Sequence, residues 1–234
     1  MPVNFQRFPA FADGPMGHSL CGRYHRGMEI TWLGRSCFRL KGREGVVLTD
    51  PCPPESGYKL GKADANVITL SRKDEPAFSY TAGAPAEAKV LDAPGEFEVG
   101  GILVTGIALK RPDGIRNIAF IIELDGIKIG HLGIPAGTGA QVALDELKAV
   151  DILLLPVGGR DSISPAVAAD IMTTIDANIT IPMNFKTELE TADVDPLERF
   201  LKETGAKPEP QARLQISRSQ LPAELTVMVL LPRI

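Results

Sequence analysis

Histidine and cysteine are scarce in this 234-residue sequence, with three of each. Cys21, Cys37 and Cys52 are spaced neither as a C-x-x-C redox pair nor as a zinc ribbon, which argues against both and against a disulfide-built scaffold. Such usage suits reduced thiols and hence a cytoplasmic protein. Long apolar runs are missing too: no segment approaches the roughly 20 residues that cross a bilayer as a helix. The arginines near the N-terminus are not followed by the apolar stretch of a secretory signal, so no membrane association is expected. Positive charge is in short supply, with 25 Lys and Arg against 29 Asp and Glu and a net charge of −4. A dedicated nucleic-acid binder needs the opposite balance, because its affinity comes from neutralising phosphates. Glycine fingerprints for phosphates are also wanting. The stretches PAGTGA (135–140) and VGGR (157–160) fit neither a P-loop nor a dinucleotide motif and read as turns. No period of about 20–50 residues signals a repeat protein.

What is present is the composition of a compact domain, 44% hydrophobic and 23% charged, at a length that commonly folds as one unit. Residues 1–27 mix Pro, Gly, Arg and His without periodicity and read as a disordered extension, and the clean pattern begins at Met28. The folded domain is therefore expected over 28–234, with Met28 competing with Met1 as the first residue. MEITWL, CFRL, VVLTD, NVITLS and KVLDA read as short strands. FEVGGILVTGIAL follows, then IAFIIEL and IKIGHLG joined through Asp125-Gly126, a two-residue hairpin turn. The second half alternates: a helix over Gly139 to Lys148, strand DILLLPV, and a helix from Pro165 to Ile175 capped by Ser164. Strand NITIPMNF comes next, with Asp195-Pro196 repeating the cap before LERFLKET, which stops at Gly205. RLQIS and ELTVMVLL close the chain as strands. Strands first and helix–strand alternation afterwards predict an α/β sandwich.

Four blocks carry a resemblance: TWLGRSCFRLKG with VVLTDPC, ADANVITLSRKDEP, APGEFEVGGILVTGI with GHLG, and DILLLPVGG with ITIPMNFKT. In order and spacing they resemble the metallo-β-lactamase-fold hydrolases, in the branch similar to ascorbate-6-phosphate lactonases. The resemblance implies an α/β (α+β) fold, a four-layer αββα sandwich, and a zinc-dependent hydrolase. It also implies a strand ending in Ser or Thr followed by His-x-His-x-Asp-His, whose side chains hold two zinc ions and leave a position for an activated water. The segment after Ser71 reads Arg72, Lys73, Asp74, Glu75, Pro76, Ala77. Arg72 and Asp74 stand at the first two histidines, Pro76 at the aspartate and Ala77 at the last histidine. No histidine occurs in GIALKRPDGIRN, the bridging aspartate is Ile134 and the final histidine is Asn184. The family's early histidine before Ser-Cys-Phe is Arg35. Of these replacements only Asp74 is a good zinc donor, since a guanidinium has no lone pair to give. A dinuclear centre is not expected.

Side-chain cations at former metal positions imply a remnant pocket made of Arg35, Asp50, Arg72, Lys73, Asp74, His131, Asn184 and Lys186, in which arginine and lysine neutralise carboxylates that zinc once balanced. Asp50 reads equally well as a pocket carboxylate or as a cap on the Pro51 turn. His131 reads as a hydrogen-bonded histidine at a strand end. Asp74-Glu75 reads as a solvated turn, and Cys37 and Cys52 as packing. Arg72 is expected to pair with Asp50, Asp74 or a bound anion. The leading expectation is a metal-free, catalytically inactive relative that binds or regulates, with a small anionic molecule as its ligand. Nucleic acid is not expected as a partner, and a homo-oligomer stays open. The alternative is a hydrolase of an ester, lactone or phosphoester with a remodelled zinc site.

Overall fold

The computed structural model describes residues 27–61, 64–111, 113–136 and 144–233. Two mixed sheets face each other. One contains β1 (Met28–Gly34), β2 (Cys37–Lys41), β3 (Val46–Thr49), β4 (Val67–Thr69), β5 (Lys89–Leu91) and β12 (Leu214–Ile216), in the order β12-β1-β2-β3-β4-β5. The other contains β6 (Gly95–Val99), β7 (Ile102–Leu109), β8 (Asn117–Leu124), β9 (Ile127–His131), β10 (Ile152–Pro156), β11 (Ile179–Met183) and β13 (Thr226–Val227), in the order β13-β11-β10-β9-β8-β7-β6. Helices α1 (Leu144–Leu147), α2 (Pro165–Ile175) and α3 (Leu197–Thr204) pack together, and α2 lies on β10. This is the α/β sandwich that the strand pattern predicts. Between β3 and β5 the described connections are the 3-10 turns Pro54–Ser56 and Pro76–Phe78.

Local chemistry accounts for most of these elements. Asp125 and Gly126 both take left-handed backbone (φ 53° and 71°), as the tight β8–β9 hairpin requires. Every residue of β10, ILLLP, is buried, the signature of a parallel strand covered on both faces. Ser164 caps α2 by accepting from the Val167 amide at 3.4 Å, with Pro165 in the first turn. The expected cap at Asp195 is corrected. Helix α3 begins only after Pro196, and the Asp195 carboxylate accepts from Arg199 Nη1 at 2.5 Å instead. Gly205 ends that helix with φ 69°, as expected. Of the helix expected over Gly139 to Lys148 the structure describes Leu144–Leu147; residues 137–143 lie outside the described residues. So do residues 1–26 of the expected extension.

The core lies between the sheets, where Trp32, Phe38 and Phe120 are fully buried, and Phe200 of α3 is fully buried in the same apolar cluster. Trp32 packs on Phe38 and Phe185, with ring centroids 6.4 and 4.9 Å apart. The closing strands part company: β12 pairs with β1 and β13 with β11, so the chain's end ties the two sheets together. Strands β3 and β4 run parallel in one sheet, and β9, β10 and β11 in the other. Their C-terminal ends release the loops that build the site, the edge at which open α/β sheets collect ligands.

Candidate functional site

Those loops surround a cavity of about 190 Å³. Arg35 reaches it from the β1–β2 turn, Arg72, Glu75 and Phe78 from the segment after β4, and Ile134 from the β9 exit. Gly159, Arg160 and Asp161 follow β10, Asn184 follows β11, and Glu190 to Val194 form the remaining wall without Thr191. Close backbone contacts hold the walls. The Asn184 amide donates to the Arg35 carbonyl at 3.1 Å and the Asp195 amide to the Gly158 carbonyl at 2.7 Å. Gly158 must be glycine, since a Cβ there would stand 1.9 Å from the Asn184 carbonyl oxygen.

Arginines and carboxylates alternate around the cavity. The Arg35 fork grips buried Glu190 bidentately, Nε to Oε2 at 2.9 Å and Nη2 to Oε1 at 3.0 Å. Arg160 pairs with Asp193 at the rim. The Arg72 side chain is only 4% exposed; its guanidinium lies over the Phe78 ring, 5.6 Å from the centroid, and its Nη2 pairs with Glu75. Its Nε is buried without a partner. The partner expected for Arg72, Asp50 or Asp74, is thereby corrected to Glu75. The turn closed by the Glu75 amide donating to the Arg72 carbonyl at 3.1 Å brings the residue at i+3 back to the guanidinium, whereas Asp74 faces solvent.

Asp50 sits behind this wall, fully buried, with φ 38°. Its carboxylate accepts from the Ser71 amide at 2.6 Å and from Ser71 Oγ at 2.5 Å. It neither lines the cavity nor caps the Pro51 turn through a side-chain bond. Burial pushes the Asp50 carboxyl above its ordinary value, opposed by His131, by Ser71 and by Arg72. His131 is also fully buried. Its Nδ1 accepts from the Gly133 amide at 3.3 Å, which leaves Nε2 to donate to the Ser36 carbonyl at 2.9 Å, with the Asp50 carboxylate 3.9 Å away. The two form a buried polar pair outside the cavity lining.

The remaining members of the expected pocket are placed elsewhere. Lys73 is exposed and reaches Asp92 at 3.2 Å, and Asp74 is exposed. Lys186 donates to the carbonyls of Glu190 at 2.6 Å and Ala192 at 3.1 Å, bracing the wall from outside. These three are corrections: the turn from Arg72 to Glu75 carries Lys73 and Asp74 at its exposed tip, and the Lys186 ammonium is taken up by backbone carbonyls. Cys37 and Cys52 are both buried and outside the cavity lining. The hydrogen bond from the Cys37 thiol, helped by Ser56 and Arg35, draws Cys52 down to about 7 against the cost of burial, while burial pushes Cys37 up.

Three participants escape a reading of the sequence. Glu75 reads there as part of a solvated turn, and Glu190 lies 155 residues from its partner, with no local signal. Arg111 sits within GIALKRPDGIRN, where the resemblance looks for a histidine. It is buried, and its Nη1 donates to the carbonyls of Ile134 at 2.5 Å and Asp161 at 2.9 Å. Its Nε and Nη2 hold Asp113, whose carboxyl is drawn down to about 2 chiefly by that bond. One guanidinium thus ties the β7, β9 and β10 exits together.

This donor set does not fit zinc. Among the described residues no three His, Cys, Asp or Glu side chains converge on a point, and the positions matched to ligands offer a cation, an exposed aspartate, apolar side chains and an amide.

Comparison with known proteins places the fold. The model of the β-lactamase superfamily domain matches residues 29–184. A candidate Zn-dependent hydrolase of the metallo-β-lactamase superfamily from Thermotoga maritima superposes with a TM-score of 0.74 at 31% identity, covering 87% of this chain and 98% of that one. A UPF0173 protein of Pyrococcus furiosus is 29% identical over 197 residues, 75% of this chain and 90% of its own length. A UPF0173 metal-dependent hydrolase of Methanoregula boonei is 27% identical over 187 residues, 68% of this chain and 83% of its own length. With the family model over more than half its length and a solved relative aligned nearly end to end, the chain belongs to the metallo-β-lactamase superfamily.

Proposed function

We propose that this chain uses the strand-end cavity of its superfamily to bind a small oxyanion, a carboxylate or phosphate of few heavy atoms, without the metal pair of zinc-dependent relatives. The observation that supports it is Arg72: a buried guanidinium at the position matched to a first zinc ligand, holding a carboxylate on one edge with its Nε unpartnered. Arginine in such a setting selects planar or tetrahedral oxyanions. A cavity of about 190 Å³ lies below the roughly 300–1,000 Å³ of drug-sized sites, so the ligand is small.

The names of the relatives favour a second reading, and support it better than they support an inert protein. Metal-dependent hydrolases dominate the similar proteins, which makes hydrolysis of a small ester, lactone or phosphoester, with zinc bound in some atypical way, the competing function. Oxyanion binding is common to both, since the products of such hydrolysis are carboxylates and phosphates. A cytoplasmic location and the absence of a nucleic-acid partner belong to the same proposal, which fractionation and a DNA-binding assay check; whether the chain forms a homo-oligomer stays open to light scattering.

Elemental analysis of untagged protein, with hydrolysis assays on an ester, lactone and phosphoester panel in the presence and absence of Zn²⁺ and Mn²⁺, separates the two. The expected outcome is no tightly bound metal, no stabilisation by added metal, and no turnover. About one metal per chain that survives dialysis, with metal-dependent turnover, would establish the hydrolase instead.

A further inference from the structure

We propose that Glu75 is a built-in carboxylate that occupies the oxyanion position on Arg72 and is displaced when a carboxylate- or phosphate-bearing ligand binds. The inference rests on the oxyanion reading above and adds a gate to the same site.

The segment after β4 folds back tightly: the Glu75 amide donates to the Arg72 carbonyl at 3.1 Å and the Phe78 amide to the Glu75 carbonyl at 3.0 Å. This turn sets the Glu75 carboxylate against Arg72 Nη2. The two partners differ in freedom. Arg72 is 4% exposed and packed against Phe78, whereas the Glu75 side chain is 37% exposed and, among the described residues, has no other ion pair. The guanidinium is the fixed part and the carboxylate the movable one.

The pairing is also incomplete. A guanidinium edge presents Nε and one Nη side by side, a fork matched to the two oxygens of a carboxylate or phosphate. Glu75 engages Nη2, while Nε stays buried without a partner. A free oxyanion, unconstrained by a three-residue tether, can take both donors and so complete what Glu75 leaves undone. The neighbouring cations differ from it: Arg35 is held bidentately by buried Glu190, and Arg160 meets Asp193 through Nη2 alone at the exposed rim, with no buried donor left over. A tethered carboxylate acts at a high effective concentration, so it suppresses weak anions and admits only a ligand that gains further contacts in the cavity.

The test is calorimetric titration of inorganic phosphate and of acetate into the full chain, at constant ionic strength, for wild type, Glu75→Gln and Arg72→Gln, with circular dichroism and melting curves as fold controls. The expected result is binding to Glu75→Gln about tenfold or more tighter than to wild type, and none to Arg72→Gln. Equal affinities in wild type and Glu75→Gln, lost in Arg72→Gln, would refute the gate and leave the oxyanion reading standing. Absence of phosphate and acetate binding in folded Glu75→Gln would overturn both. If Arg72→Gln does not fold, wild type against Glu75→Gln and Glu75→Ala decides the gate by itself.

Discussion

Replacing Arg111 with methionine removes the guanidinium that ties three strand exits together while keeping most of its buried stem. In the wild type Nη1 satisfies the carbonyls of Ile134 and Asp161, and Nε and Nη2 hold Asp113. Methionine supplies no donor, so the buried Ile134 carbonyl and the partly buried Asp161 carbonyl lose their partner. Each such loss costs roughly 1–3 kcal/mol. Asp113 is exposed and regains water, and relief from desolvating a guanidinium offsets part of the total. A net loss of about 2–4 kcal/mol is expected. In a domain of about 200 residues each kcal/mol moves Tm by about 2–4 °C, so the variant should melt about 5–15 °C lower. Differential scanning calorimetry with urea unfolding at neutral pH measures it. An Arg111→Met protein melting within about 1 °C of wild type would show that the three exits are held by backbone packing alone and that the cross-link argument is wrong.

Two further outcomes follow from the geometry. Gly158→Ala places a Cβ 1.9 Å from the Asn184 carbonyl oxygen, so the β10 and β11 exits must separate; a loss of more than about 3 kcal/mol in urea unfolding is expected, and a neutral result would contradict the close approach. Asp113 has its carboxyl drawn down to about 2 by Arg111, so its folded pKa lies below the unfolded one. The stability it contributes is present above about pH 4 and lost as pH falls through about 2. Asp113→Asn should therefore lower Tm at neutral pH by an amount that shrinks to nothing on acidification across that window, and a pH-independent difference would rule out the ionic pairing.

Elements whose determinants are local are legible in the residues themselves. Asp125-Gly126 carries the backbone conformation its hairpin needs, Ser164-Pro165 carries the start of α2, and the unbroken apolar run of β10 announces a strand buried on both faces. Arg72 is legible as a site residue because it follows strand β4 at a recognisable position. Its partner is not. Asp74 and Glu75 differ by one residue, and which of them meets the guanidinium depends on the turn closed from the Glu75 amide to the Arg72 carbonyl.

Sequence alone determined the strands, their turns and the superfamily, because each depends on residue type within a few neighbours or on the order of short motifs. Only the tertiary structure decided that Glu190 holds Arg35 across 155 residues, that Asp50 lies buried behind the cavity with Ser71 and His131, and that Arg111 joins three loops. Pairing between distant charges is set by how two sheets pack and where their strand ends converge, and neither is encoded in any local pattern of residues.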